Sequence, residues 1–204
     1  AGAATAVAAC LNLVVLYQGR NSLYDQSVLT RADTAAIEIA RRTIEPGFQL
    51  SPEIAGTTTL VDVFAGPYLQ AVDEYGSPAY TPAELTKAPE QGRRQADVVL
   101  AQALPLSTAT LPGGFEPAAG GASCVVVPAG GPELPLSPGA TRIELAPGPP
   151  ADFALRRFAS GEYPVPVAVD APGDSTTLLR IPADAATQPW QLRIDARQLA
   201  RVCR

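Results

Sequence analysis

Apolar positions change their period once along this chain, from three- and four-residue spacing in the first half to alternation in the second. Before either pattern begins, residues 1 to 17 (AGAATAVAACLNLVVLY) form an apolar run whose only strongly polar member is Asn12. Tyr17 and then Gln18, Gly19, Arg20 and Asn21 follow, an aromatic residue and polar cap of the kind found at a bilayer interface. A membrane helix needs about 20 apolar residues, so residues 1–20 read as the end of one, with the rest lying before Ala1. A buried soluble segment is the competing reading, and Leu11, Leu13, Val15 and Tyr17 also permit a strand. No basic stretch precedes the run, which disfavours a signal peptide.

Residues 21–112 carry helical signals. Asn21 or Ser22 can cap a helix running towards Ile44, with Leu23, Val28, Ala32, Ala36, Ile39 and Ala40 near one face. Glu38 and Arg42 are spaced for an i,i+4 pair, and Pro46-Gly47 stops the helix. Thr59 and Asp62 could cap a short helix through Val61, Phe64, Tyr68, Leu69 and Val72, which Gly66-Pro67 would kink or split. Thr81-Pro82-Ala83-Glu84 combines a capping Thr, Pro at the first helical position and a reciprocating Glu. Pro89 opens a last helix with Ala96, Val99, Leu100 and Ala103 along one side, ended by Leu104-Pro105.

At Pro112-Gly113-Gly114 the pattern changes, and residues 113–204 read as an antiparallel β-sandwich. Short β-branched runs lie between recurring Pro and Gly: Cys124–Val127, Arg142–Leu145, Phe153–Phe158, Val165–Asp170, Thr176–Ile181, Trp190–Asp195 and a short one near Val202. Trp190, Leu192 and Ile194 share one phase, Gln191, Arg193 and Asp195 the other. Pro166 marks its run as an edge strand. The fold class expected is therefore α+β, an N-terminal helical segment followed by a jelly-roll-like antiparallel sandwich.

Composition narrows the functions. A net charge of −5 with scattered basic residues argues against a nucleic-acid partner. The chain has no His, which removes Ser-His-Asp and Cys-His catalysis and every His-containing zinc or haem site. No cofactor and no metal is implied. Lys87 is the only Lys among 15 basic residues, an Arg excess that GC-rich bacterial codon use explains.

Three cysteines are present, Cys10, Cys124 and Cys203. A Cys124–Cys203 disulfide would close a loop of about 80 residues, worth roughly 4 kcal/mol in the chain-entropy model, and needs an oxidising compartment. Cys10, in its apolar run, reads as an inert thiol.

Candidate ligand-binding residues fall in two places. Asp73, Glu74 and Tyr75, before the Gly76-Ser77-Pro78 turn and Tyr80, pair carboxylates with aromatic rings, a set suited to a sugar, a hard cation or acid–base work. A solvated helix end followed by a turn is the structural alternative. In the second half, Arg156 or Arg157, Arg180 and Arg193 could line one sheet face and grip anions, and Trp190 could stack on a sugar or anchor the core. Cross-strand pairing with acids such as Glu144 or Asp195 is the alternative for these arginines. Arg93, Arg94 and Asp97 read as a surface ion-pair group, and Asp170, Asp174 and Asp184 as turn residues with calcium-ligating potential.

The order of apolar span, helical linker and Pro/Gly-rich sandwich resembles the extracytoplasmic C-terminal region of actinobacterial polytopic membrane proteins of the glycosyltransferase type. The stretches concerned are Ala35–Arg42, Tyr75-Gly76-Ser77-Pro78-Ala79, Arg94-Gln95-Ala96-Asp97 and Pro189-Trp190-Gln191-Leu192. The resemblance implies a membrane-tethered, extracytoplasmic, non-catalytic module with a carbohydrate-binding-like jelly roll. Its implied partners are a cell-envelope glycan and the remainder of a membrane protein. The family's catalytic carboxylates have no counterpart here. A structural or interaction domain without a small-molecule ligand is the alternative, and a carboxylate-dependent glycoside-processing enzyme using Asp73 and Glu74 is a third reading.

Overall fold

The computed structural model describes residues 2–50, 63–104, 107–111, 124–127, 133–136, 141–146, 151–169, 176–182, 184, 186, 188–195 and 200–203. Helix α1 runs unbroken over Gly2–Ile39. The apolar run and the helix expected from Asn21 are therefore one element, and the strand option for Leu11 to Tyr17 is not taken. Asn21 and Ser22 lie inside α1 and cap nothing, because the residues before them are already helical. Among the described residues no helix is long and apolar enough to cross a membrane.

Helix α2 (Ala65–Tyr75) starts where a kink was expected. Pro67 stands in its first turn, where an N–H would have no intrahelical partner, so the ring costs the helix nothing. Thr59 and Asp62, the cap proposed for this helix, and Val61 lie outside the described residues. Gly76 ends α2 at φ 88°, a left-handed conformation that glycine adopts without a Cβ clash. Helix α3 (Pro82–Leu85) has the capping box read from its sequence. Thr81 Oγ1 accepts from the Glu84 N–H at 3.2 Å, and Glu84 Oε2 accepts from the Thr81 N–H at 2.8 Å. Helix α4 (Glu90–Ala103) buries Gly92, Ala96, Val99, Leu100 and Ala103. Gly92 lies against Val28 and Ala32 of α1, whose Ala32, Ala35 and Ala36 are all buried. These small side chains let the two helices approach closely.

The sandwich strands are β1 (Ser107–Leu111), β2 (Cys124–Val127), β3 (Glu133–Pro135), β4 (Thr141–Leu145), β5 (Ala151–Arg156), β6 (Val165–Val169), β7 (Thr176–Ile181), β8 (Gln191–Asp195) and β9 (Ala200–Cys203). Seven follow the alternating runs of the sequence. The other two, β1 and β3, do not, and β1 starts the sandwich at Ser107 instead of residue 113. Its β-branched Thr108 and Thr110 suit a strand, and all five of its residues pair with β7, from Thr176 to Arg180.

Two sheets form, in the orders β1-β7-β4-β9-β2 and β3-β8-β5-β6, with every pairing antiparallel. Strands β2 to β9 pair as one long hairpin, β2 with β9, β3 with β8, β4 with β7 and β5 with β6, and successive pairs enter opposite sheets. This winding is a jelly roll, with β1 added at the β7 edge. Its interior takes Ile143, Leu145, Leu179 and Ile181 from one sheet and Phe153, Leu155, Leu192 and Ile194 from the other, continuous with the helical core. Each such side chain, fully buried, contributes about 1.5–3 kcal/mol. Trp190 belongs to this core at 3% exposure, as its inward phase predicts. Pro166 is exposed on β6, an edge strand, where a missing ladder donor is tolerated.

Candidate functional site

Helix α4 and the segment after β5 meet through two carboxylates and five backbone N–H groups. Glu90 and Asp97 are two helical turns apart and so share a face of α4. Asp97 accepts the N–H groups of Arg157 (2.8 Å), Phe158 (3.0 and 3.1 Å to its two oxygens) and Ala159 (3.0 Å). Glu90 accepts those of Ser160 (3.0 Å) and Gly161 (3.4 Å), and the Ser160 hydroxyl at 2.9 Å. Consecutive N–H groups of an irregular segment form an anion-binding concavity, and here the helix fills it with its own carboxylates.

Burial acts on the two acids differently. Asp97 is fully buried, and desolvation pushes its carboxyl up to about 6 against the pull of the three N–H donors and Arg157. Burial also opposes ionisation of Glu90, but Ser160, Gly161 and Arg93 outweigh it and hold that carboxyl below its usual range. A carboxyl near 6 is suited to general acid–base work. Both Asp97 oxygens, however, face backbone donors inside the joint, so the group positions a loop.

Beside this joint, Arg157 Nη1 donates to Asp184 Oδ2 at 2.7 Å, with the two side chains only 4% and 2% exposed. The guanidinium carbon lies 4.4 Å from the Trp190 ring centroid. Burial pushes Arg157 below its usual value, opposed by the adjacent Asp184 and Asp97. Arg157 and Trp190 are thus brought together, but inside the molecule, where neither can meet a ligand in solution. Asp184 is committed to this pair and not to a turn-bound cation; Asp170 and Asp174 lie outside the described residues.

The chain matches no protein family model, and no curated protein or solved structure is significantly similar to it.

The remaining candidates are dispersed. Arg180 is exposed on β7 of the five-stranded sheet, opposite Arg142, whereas Arg193 is exposed on β8 of the other sheet. The arginines therefore form no single band. Arg142 pairs with Glu144 at 2.5 Å, while Arg156 and Arg193 place their guanidinium carbons 4.4 and 4.9 Å from the Tyr163 ring centroid. Asp73 pairs with Arg41. Glu74 accepts a hydrogen bond from Tyr75, which raises the tyrosine pKa, and Tyr75 is exposed at the end of α2. Glu38, expected to pair with Arg42, instead accepts the Tyr68 and Ser77 hydroxyls, each at 2.6 Å. The proposed surface group also divides: Arg93 pairs with Glu90 at 2.5 Å, Arg94 with Glu162 at 2.8 Å, and Asp97 goes inside.

Sequence reasoning missed Glu90, Asp97 and Ser160. One signal was present: Asp97 interrupts the apolar stripe of Ala96, Val99 and Leu100 on α4, and an acid in that phase needs buried donors.

Two hollows adjoin along α4. One, of 390 Å³, is lined by Glu90, Gln91, Arg94, Gln95, Val98 and Pro164. The other, of 260 Å³, is lined by Val98, Ala101, Gln102 and residues Pro164 to Val167 of the β6 edge. They share Val98 and Pro164, so a groove with polar and apolar walls follows the helix. A separate hollow of 270 Å³ lies beside Glu38, Ser77 and Tyr80.

Proposed function

We propose that this chain is a non-catalytic, extracytoplasmic accessory module of a membrane-anchored cell-envelope protein, and that it binds glycan in the groove between α4 and β6. The lining of that groove carries the reading. Gln102, Arg94 and Gln91 offer donors and acceptors to sugar hydroxyls, while Val98, Ala101 and Pro164 offer apolar surface to the C–H face of a sugar ring. The carboxylates joining α4 to the jelly roll keep both walls fixed, which lowers the ordering cost of binding.

The order of helical stretch and jelly roll agrees with the resemblance to the C-terminal regions of actinobacterial glycosyltransferase-type membrane proteins. Tethering is supported by α1, whose Leu16, Tyr17, Leu23 and Tyr24 are 59–69% exposed, large apolar surfaces of the type that meets lipid or another protein. The remainder of a membrane protein is the partner expected there.

Titration calorimetry against soluble oligosaccharides of an actinobacterial cell envelope should give saturable binding. Val98→Trp, at the junction of the two hollows, should abolish it while leaving the thermal midpoint within about 2 °C. No saturable binding on a broad glycan array would sink the glycan reading. The buried joint would then favour a purely structural or interaction domain.

A further inference from the structure

We propose that Cys124 and Cys203 form a disulfide that fastens the outermost hairpin of the jelly roll. The observation is the register of β2 against β9, which sets Cys124 directly opposite Cys203 at one end of the ladder and Val127 opposite Ala200 at the other. Directly opposed residues of an antiparallel ladder have Cα atoms about 4.5 or 5.5 Å apart, depending on which of the two pair types they form. Both spacings fall inside the range that native disulfides span, and opposed residues share one face of the sheet. Backbone register alone carries this inference.

The position gives the bond a purpose. β2 is the edge strand of its sheet, only four residues long and paired on one side. β9 lies between β2 and β4, so it is held from both sides. A short edge strand is where a sheet opens first, and a covalent link to the inner strand prevents that opening. Cys10 is on α1 and has no place in this ladder.

Formation requires an external disulfide as oxidant, a protein disulfide in an oxidising compartment or oxidised glutathione in the test tube. One cysteine thiolate attacks the oxidant, releasing one thiol and leaving a mixed disulfide. The second thiolate displaces the other half as a second thiol. Two protein thiols and one disulfide thus become one protein disulfide and two small thiols, with both electrons passed to the oxidant.

The test uses the whole folded chain, incubated without denaturant in oxidised glutathione, alkylated and digested without reduction. We expect, before alkylation, an intact mass about 2 Da below that of the reduced chain, the two hydrogens lost, and after alkylation and digestion one cross-linked peptide joining Cys124 to Cys203, with Cys10 alkylated. Cys10→Ser should retain the cross-link; Cys203→Ser should leave Cys124 free to alkylate or to carry glutathione. Alkylation of both Cys124 and Cys203 in the oxidised wild-type chain, separate glutathione adducts on each, or a bond from Cys10 to either would overturn the proposal. The outcome does not depend on glycan binding.

Discussion

Phe158, just beyond β5, donates its backbone N–H to both carboxylate oxygens of Asp97, at 3.0 and 3.1 Å, across the joint between α4 and the jelly roll. With the N–H groups of Arg157 and Ala159 also committed there, Asp97→Ala leaves three donors without an acceptor in a buried place. An unsatisfied buried donor costs about 1–3 kcal/mol, so we expect a loss of roughly 3 kcal/mol or more. Asp97→Asn should fall between wild type and Ala, since its oxygen still accepts while its NH₂ meets donors. Urea denaturation measures both. An Asp97→Ala loss under about 1 kcal/mol, the scale of an ordinary surface change, would mean that the joint contributes little.

Arg157 and Asp184 give a second prediction. Their side chains are 4% and 2% exposed and joined at 2.7 Å. Removing one partner leaves a buried, uncompensated charge, so Arg157→Met and Asp184→Leu should each cost about 3–5 kcal/mol. The double variant replaces the pair with apolar groups and should cost less than either single one. Denaturation of all four proteins completes the cycle, and strict additivity would show that the two residues are not coupled.

Much of this fold was legible because each element carries its own local cause. Thr81-Pro82-Ala83-Glu84 specifies a capping box without outside help, and Trp190, Leu192 and Ile194 reveal their common face by alternation alone. What stayed hidden depends on contacts remote in sequence. Asp97 lies next to Arg93 and Arg94 in the chain, which suggests a surface pair, yet its partners are backbone donors about sixty residues away. Arg157 sits in the same sequence context as Arg156, but Arg156 lies half-buried over the Tyr163 ring while Arg157 goes into the interior. β1 was missed because STATL is too short and too polar to announce a strand, and β7 supplies what its own pattern lacks. Of the candidate site residues, Arg157 and Trp190 come together through the fold, while Asp73, Glu74, Tyr75 and Arg180 remain at the surface, Asp73 paired with Arg41 of a distant segment and Glu74 with its neighbour Tyr75.

Titration of Asp97 supplies a third prediction. Burial raises its native value to about 6, whereas an unfolded Asp titrates near 3.9. The native state therefore binds this proton more tightly than the unfolded chain. By linkage, the resulting stability is fully present below about pH 4 and is lost as pH rises through 6. Glu84 and Glu90 have lowered values and act with the opposite sign at acid pH, so the useful quantity is the difference between wild type and Asp97→Asn. That difference should shift in favour of wild type as pH falls from 7 to 4. Carbon-detected NMR of the Asp97 carboxyl gives the midpoint directly, and a value below 4 would show that the N–H donors outweigh desolvation.

Gly92 offers the sharpest packing test. A Cβ placed there would stand 2.8 Å from Val28 Cγ1, closer than side-chain carbons approach without movement. Val28 is 2% exposed, and its branched side chain has one favoured rotamer in a helix, so it cannot swing away. Gly to Ala inside a helix ordinarily gains about 1 kcal/mol, whereas forcing a methyl group into a packed interface costs about 1–3 kcal/mol. The clash should win, and Gly92→Ala should lower stability despite its better helix propensity. Because the conflict is with one methyl group, Val28→Ala should be less harmful in the Gly92→Ala background than in wild type. A double-mutant cycle from denaturation midpoints measures this coupling. A stabilised Gly92→Ala protein would mean that α1 and α4 are held farther apart in solution than Val28 and Gly92 are here.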